Sequence, residues 1–241
     1  MIELFSDPNT WAALATLIFL EIVLGIDNII FISLITTKLE VQHQRKARLI
    51  GLTLAMVFRI GLLLSISWII QFSEPLFSLF GHPVSGRDLI LLAGGLFLIA
   101  KSVSEISHKF NVEMNPNSKE TKVKHSLRGA IFQIILLDLV FSFDSILTAI
   151  GMTSEITLMV IAVIVSVIVM MLFAGPVSAF IQKHPTLQIL ALSFLILIGF
   201  MLGLEGLGKH IEKGYIYFAV FFAFSVEVVN MIIRNKREKH Q

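Results

Sequence analysis

Two short stretches of this chain hold the residues that could do chemistry. "EIVLGIDN" at 21–28 and "DLVFSFDS" at 138–145 each set two carboxylates six residues apart and follow the second with a small polar residue. Together they supply Glu21, Asp27, Asn28, Asp138, Asp144 and Ser145, all of them hard oxygen donors. Such donors suit Mg2+, Ca2+ or Mn2+ and suit Zn2+ or copper poorly. The seven histidines fall in polar connections, and cysteine is absent, so no soft-metal route is expected. A hard divalent cation is the ligand these residue types point to.

Both stretches interrupt long apolar runs, where charge is expensive. A central acidic residue costs roughly 2.5–3.5 kcal/mol on insertion scales, so four left unpaired would cost on the order of 10 kcal/mol. One compensation is purely structural, with polar side chains hydrogen-bonded between helices. The other is functional, the default for intramembrane charge, and it alone accounts for the same spacing appearing twice. Residues i and i+7 of an ideal helix share a face, which aligns Glu21 with Asn28 and Asp138 with Ser145. Asp27 and Asp144 then lie about 120° away. Either the helices open near Gly25 and Ser142, freeing carbonyl oxygens as in transporter helices, or these aspartates face another neighbour; opening is the expectation. Like charges gathered in one site repel, and a proton relieves that repulsion as a metal does, which motivates exchange of metal for protons.

Other charged positions form a second tier. Arg59 lies mid-span in "LAMVFRIGLLLS", where a cation is expected to pair with the acidic cluster or with Glu227, as a structural bridge or a gate. Glu227 and Asn230 share a helical face in "FSVEVVNMIIR" and would extend an ion path or solvate an interface. Lys101 and Glu205 lie near span ends, where their heads can snorkel to the interface.

The elements that must position these residues follow from composition. The chain has 241 residues, 56% hydrophobic and 15% charged, which is the balance of a polytopic membrane protein. A span needs about 20 helical residues. Apolar windows predict seven, near 11–36, 49–71, 88–107, 127–150, 156–180, 187–206 and 214–233, in one transmembrane domain covering 1–241. A polar cytoplasmic linker, about 108–126, carries Asn115-Pro116-Asn117. With the N-terminus outside, fifteen of the nineteen Lys and Arg residues fall in inner loops, and Trp11, Trp68, Tyr215 and Tyr217 fall at the outer interface. The first apolar segment follows acidic residues and lacks a small-residue cleavage site, so it is expected to stay as a span. A net charge of +2 without a basic stripe argues against nucleic acid as a partner. No Ser/His pairing, zinc motif or nucleotide-binding glycine loop appears, so an enzyme is not expected.

The two acidic stretches also mark an internal repeat. Three spans from about 11 to 107 match three from about 127 to 206, and the helix near 214–233 stands outside the repeat. Because three is odd, the copies have opposite topology, the inverted-repeat plan of many secondary transporters. The third and sixth spans align more loosely, Gly95-Leu96-Phe97-Leu98 with Gly199-Phe200-Met201-Leu202.

Through "EIVLGIDNIIF" and "DLVFSFDSILTAIG" the chain resembles the TerC family of integral membrane proteins, grouped with exporters of the LysE type. The resemblance covers essentially the whole chain. It implies an all-α fold of two inverted three-helix units, export of manganese across the plasma membrane, and a metal site at Glu21, Asp27, Asn28, Asp138, Asp144 and Ser145. Many members carry proline where this chain has Leu147 and alanine where it has Ser142. One branch adds cytosolic regulatory domains; here the chain ends at Gln241 after a basic tail, and the short form is expected.

The resulting expectation is a seven-helix protein of the bacterial inner membrane, N-terminus out and C-terminus in, that exports a hard divalent cation, Mn2+ by resemblance. No prosthetic group is expected; the lipid bilayer and the metal ion are its partners. The alternatives are a non-transporting membrane partner for metallation of secreted enzymes and an exporter of small organic cations or amino acids.

Overall fold

The computed structural model describes residues 7–65, 70, 72–79, 82–114, 126–153, 155–209 and 211–238. Its elements, in chain order, are α1 (Pro8–Thr36), α2 (Val41–Leu64), a two-stranded ribbon of β1 (Pro75–Leu79) and β2 (His82–Ser85), α3 (Gly86–Met114), α4 (Leu127–Met152), α5 (Ile156–Lys183), α6 (Pro185–Gly206) and α7 (Lys213–Glu238). Seven helices among the described residues are long and apolar enough to cross a membrane. An all-α polytopic architecture is therefore the fold, with each expected span inside one helix or, for the second, mostly so.

Local chemistry sets the ends. Asp7 caps α1, its carboxylate accepting from the Asn9 N–H at 3.0 Å, and Pro8 opens the first turn, where a missing N–H costs nothing. Ser126 caps α4 in the same way. Three boundaries differ from the sequence expectation. Helix α2 begins at Val41 rather than near 49, because its first two turns carry Gln42, Arg45, Lys46 and Arg48, which a hydropathy window rejects although they are helical. Helix α3 runs on to Met114 for the same reason, several residues into the expected linker. The ribbon of β1 and β2 was not expected; Pro75 and Pro83 disfavour helix there, and Leu76, Phe77 and Val84 suit strands. The tail of the expected second span, with Trp68, and most of the linker lie outside the described residues.

The chain divides into two compact units. The first holds α1, α2, α4 and α5 as far as Phe180; the second holds most of α3 with α6 and α7. The first thus draws the leading two helices from each expected repeat, and the second draws the third of each and the final helix.

Within the first unit α4 packs along α2 and α1. Side chains from all four helices are buried, among them Leu17, Leu52, Phe143 and Val167. Close approach needs small residues, as is usual between membrane helices. A Cβ on Gly51 of α2 would lie 2.9 Å from the Ile134 side chain on α4, and one on Gly25 of α1 would lie 2.6 Å from Met170 Sδ on α5.

Within the second unit the glycines matched by the expected repeat meet each other. A Cβ on Gly199 would lie 2.7 Å from the Gly95 carbonyl oxygen, and one on Gly206 would lie 2.6 Å from that of Asp88. As α6 advances from 199 to 206, α3 retreats from 95 to 88, so the two run antiparallel. Helix α7 exposes Phe218, Phe221, Phe222 and Phe224, apolar mass that lipid can cover.

Candidate functional site: a buried ion network

The first unit buries charged side chains on α1, α2 and α4. Arg59 projects from α2 five residues before its end and is 3% exposed. Its Nη1 donates to Glu21 Oε2 of α1 at 2.5 Å, its Nη2 to Asp138 Oδ1 of α4 at 2.8 Å, and its Nε to Ser142 Oγ at 2.9 Å. Asn28 Nδ2 also donates to Asp138 Oδ1, at 3.1 Å. The Ser142 hydroxyl lies 2.5 Å from the Asp138 carbonyl and 3.1 Å from its Oδ2, so its single proton serves one of them. Arginine suits this place because its planar fork presents donors in three directions and stays charged in a dry site.

The network brings together Glu21, Asn28 and Asp138, three of the six residues expected from sequence, with Arg59 among them. Of the two partners considered for Arg59, the acidic cluster is the one it pairs with. Ser145 is buried next to it, its Oγ donating to the Ser142 carbonyl at 3.3 Å. Asp27 is buried on α1, about 100° round from Asn28. Asp144 lies within α4, and its side chain is outside the described set. Glu227 and Asn230 belong to the second unit, half-buried and exposed respectively. Lys101 pairs with Glu105 one turn on, at 3.0 Å. Among the described residues no three acidic or histidine side chains converge as a metal-binding cluster.

The expected opening of the first and fourth helices does not occur: α1 and α4 are continuous through Gly25 and Ser142. Gly25 serves close packing against Met170 instead of releasing the backbone. Ser142 lies within bonding distance of the carbonyl four residues earlier, an arrangement a helix tolerates. With both helices intact, the first carboxylate of each stretch pairs with Arg59. Ser142 is the residue that sequence reasoning missed as a participant. Its signal was its place four residues after Asp138, on the same face.

Chemically the site is a group of hard oxygen acceptors held within a helical membrane protein, with one guanidinium for the two carboxylates it touches. When both are ionised, Glu21 and Asp138 set two negative charges against the single positive charge of Arg59, and Asp27 and Asp144 lie in the same two helices. The imbalance favours a cation.

A multi-span helical membrane protein with a buried, acid-rich charge network is the class so defined. More narrowly, residues 6–241 match the integral membrane protein TerC family, and the chain belongs to it. It is 50% identical over 234 residues to a UPF0053 protein of Haemophilus influenzae, covering 97% of this chain and 98% of that one. The UPF0053 inner membrane protein YgdQ of Escherichia coli K12 is also 50% identical, over 232 residues and 96% of each chain. A second Escherichia coli K12 protein, the UPF0053 inner membrane protein YoaE, is 44% identical across 99% of this chain, which spans 46% of its length. No solved structure matches.

Proposed function

We propose that this protein exports a hard divalent cation, Mn2+ in the first instance, across the bacterial plasma membrane. The observation that carries the reading is the buried pair Glu21 and Asp138, joined through Arg59 and backed by Asn28, at mid-span in a transmembrane unit. Hard oxygen donors and excess negative charge favour a small divalent cation over an anion or an apolar solute. Asp27, Asp144 and Ser145 complete the proposed ion site, and protons are the proposed counter-substrate. Relatives named as inner membrane proteins support the location. The distribution of basic residues supports an outside N-terminus and an inside C-terminus.

A second reading is a membrane partner that holds metal, or helps metallate secreted enzymes, without moving it. What favours it is that Arg59 already engages both carboxylates. Purified protein in sealed vesicles separates the two. Radioactive Mn2+ should cross the vesicle wall with wild-type protein and not with Asp138→Leu, and an imposed pH gradient should change the rate. Wild-type vesicles that bind the tracer but never move it would exclude transport.

A further inference from the structure

We propose that Arg59 is the resident cation of this site: its guanidinium holds the place between Glu21 and Asp138 while no substrate is bound, and it must withdraw for a divalent ion to enter. The inference rests on the reading of Glu21 and Asp138 as part of a divalent-cation site. It adds a residue that competes with the ion for its ligands.

The charge balance supports it first. Arg59 contacts one oxygen of each acid and supplies one positive charge to the pair; a divalent ion in its stead would match two ionised carboxylates fully. Among the described residues Arg59 is the only basic side chain that is buried. All three of its bonded nitrogens are used on this site, and none merely ties α2 to a backbone carbonyl. The guanidinium rides on a long flexible stem, the part that withdrawal would move.

The internal repeat supports it second. Six positions of α2 are buried, from Ala47 to Leu63, and each has a buried counterpart 111 residues later in α5. At that spacing Arg59 corresponds to Met170. The contacts correspond as well. Ser142 stands four residues after Asp138 and receives Arg59, while Gly25 stands four residues after Glu21 and receives Met170. Two equivalent helices therefore meet the two acid-bearing helices at equivalent turns, one with a cation and the other with a neutral thioether. The matching position of α5 holds an uncharged side chain of similar length, so the packing arrangement by itself does not call for arginine. A single cation thus serves a doubled acidic motif, and a divalent ion would have to take its place.

The consequence is a tethered competitor. Arg59 stabilises the empty site, lowers its apparent affinity for the ion, and promotes release when it returns. If the ion-accepting state with Arg59 withdrawn is roughly 1–10% populated, removing the guanidinium raises apparent affinity about 10- to 100-fold.

The test compares wild type with Arg59→Met, the residue of the equivalent position, in detergent and in vesicles, using MnCl2 as the probe. Arg59→Met should melt below wild type without metal, rise further than wild type in millimolar Mn2+, bind Mn2+ at least about tenfold tighter, and release it more slowly from vesicles. Equal Mn2+ affinity and equal thermal gain in the two proteins would overturn the proposal. Should Arg59→Met fail to purify, recovery in Mn2+-supplemented buffer would support it; failure there too, whether or not Arg59→Met with Asp138→Asn purifies, would overturn it. The two readings fail separately. Wild type that transports while Arg59→Met gains no affinity refutes the resident cation alone, whereas tighter binding by Arg59→Met with no flux from wild type refutes transport alone.

Discussion

Replacement of Asp138 tests the network most directly, because one oxygen does two jobs. Asp138 Oδ1 accepts from Arg59 Nη2 at 2.8 Å and from Asn28 Nδ2 at 3.1 Å, and both donors are buried. Asp138→Asn keeps one acceptor at that position, removes the charge and puts an NH2 donor where Oδ2 stood, beside the Ser142 hydroxyl. A charge-assisted hydrogen bond exceeds a neutral one by about 1–2 kcal/mol, so the unfolding equilibrium should shift about tenfold. Asp138→Leu removes the acceptor altogether and leaves Arg59 with only Glu21 for charge compensation. Breaking one side of a buried ion pair costs about 3–5 kcal/mol, and the Glu21 contact that survives puts the expectation near 3 kcal/mol, or more than a hundredfold. Reversible unfolding of the purified protein in mixed micelles, followed by tryptophan fluorescence, would measure both. Equal stability of the Asn and Leu variants would refute the reasoning, since it would mean that neither donor depends on that oxygen. A double-mutant cycle with Asn28→Ala should show coupling for the aspartate and much less for the asparagine.

Further outcomes follow from the same geometry. Ser142→Ala removes the acceptor of Arg59 Nε and should cost about 1–2 kcal/mol in the same unfolding assay, with the continuous helix retained by circular dichroism. Gly95→Ala pushes a Cβ into the backbone of Gly199 and Gly203, which no rotamer can relieve, and should destabilise the protein by about 1–3 kcal/mol; Gly61→Ala, whose Cβ meets nothing within 4 Å, should be neutral or stabilising by up to about 1 kcal/mol. Because cysteine is absent, single replacements report topology cleanly: Asn9→Cys should react with an impermeant maleimide added outside intact cells, and Lys236→Cys only after lysis.

Much of this protein was legible before any fold was known. Lipid demands long apolar windows and penalises buried charge, so the seven helices and the exceptional positions Glu21, Asp27, Arg59, Asp138 and Asp144 stand out from the chain itself. The periodicity of a helix also placed Glu21 with Asn28 and Asp138 with Ser145, and the unbroken α1 and α4 keep those faces. The opening expected at Gly25 failed because a glycine in a helix serves close packing as readily as it serves unwinding, and only its neighbour, Met170, decides which. Partner choice was equally out of reach. In water, a polar outer face betrays which side of a helix looks inward. In lipid both faces are apolar, so sequence pattern says little about rotation and depth. Sequence determined the class, the spans and the inventory of charges. Tertiary structure decided that Glu21 and Asp138, 117 residues apart, share one guanidinium, that Ser142 joins them, and that Met170 packs against Gly25, because those facts depend on how α1, α2, α4 and α5 turn their faces toward one another.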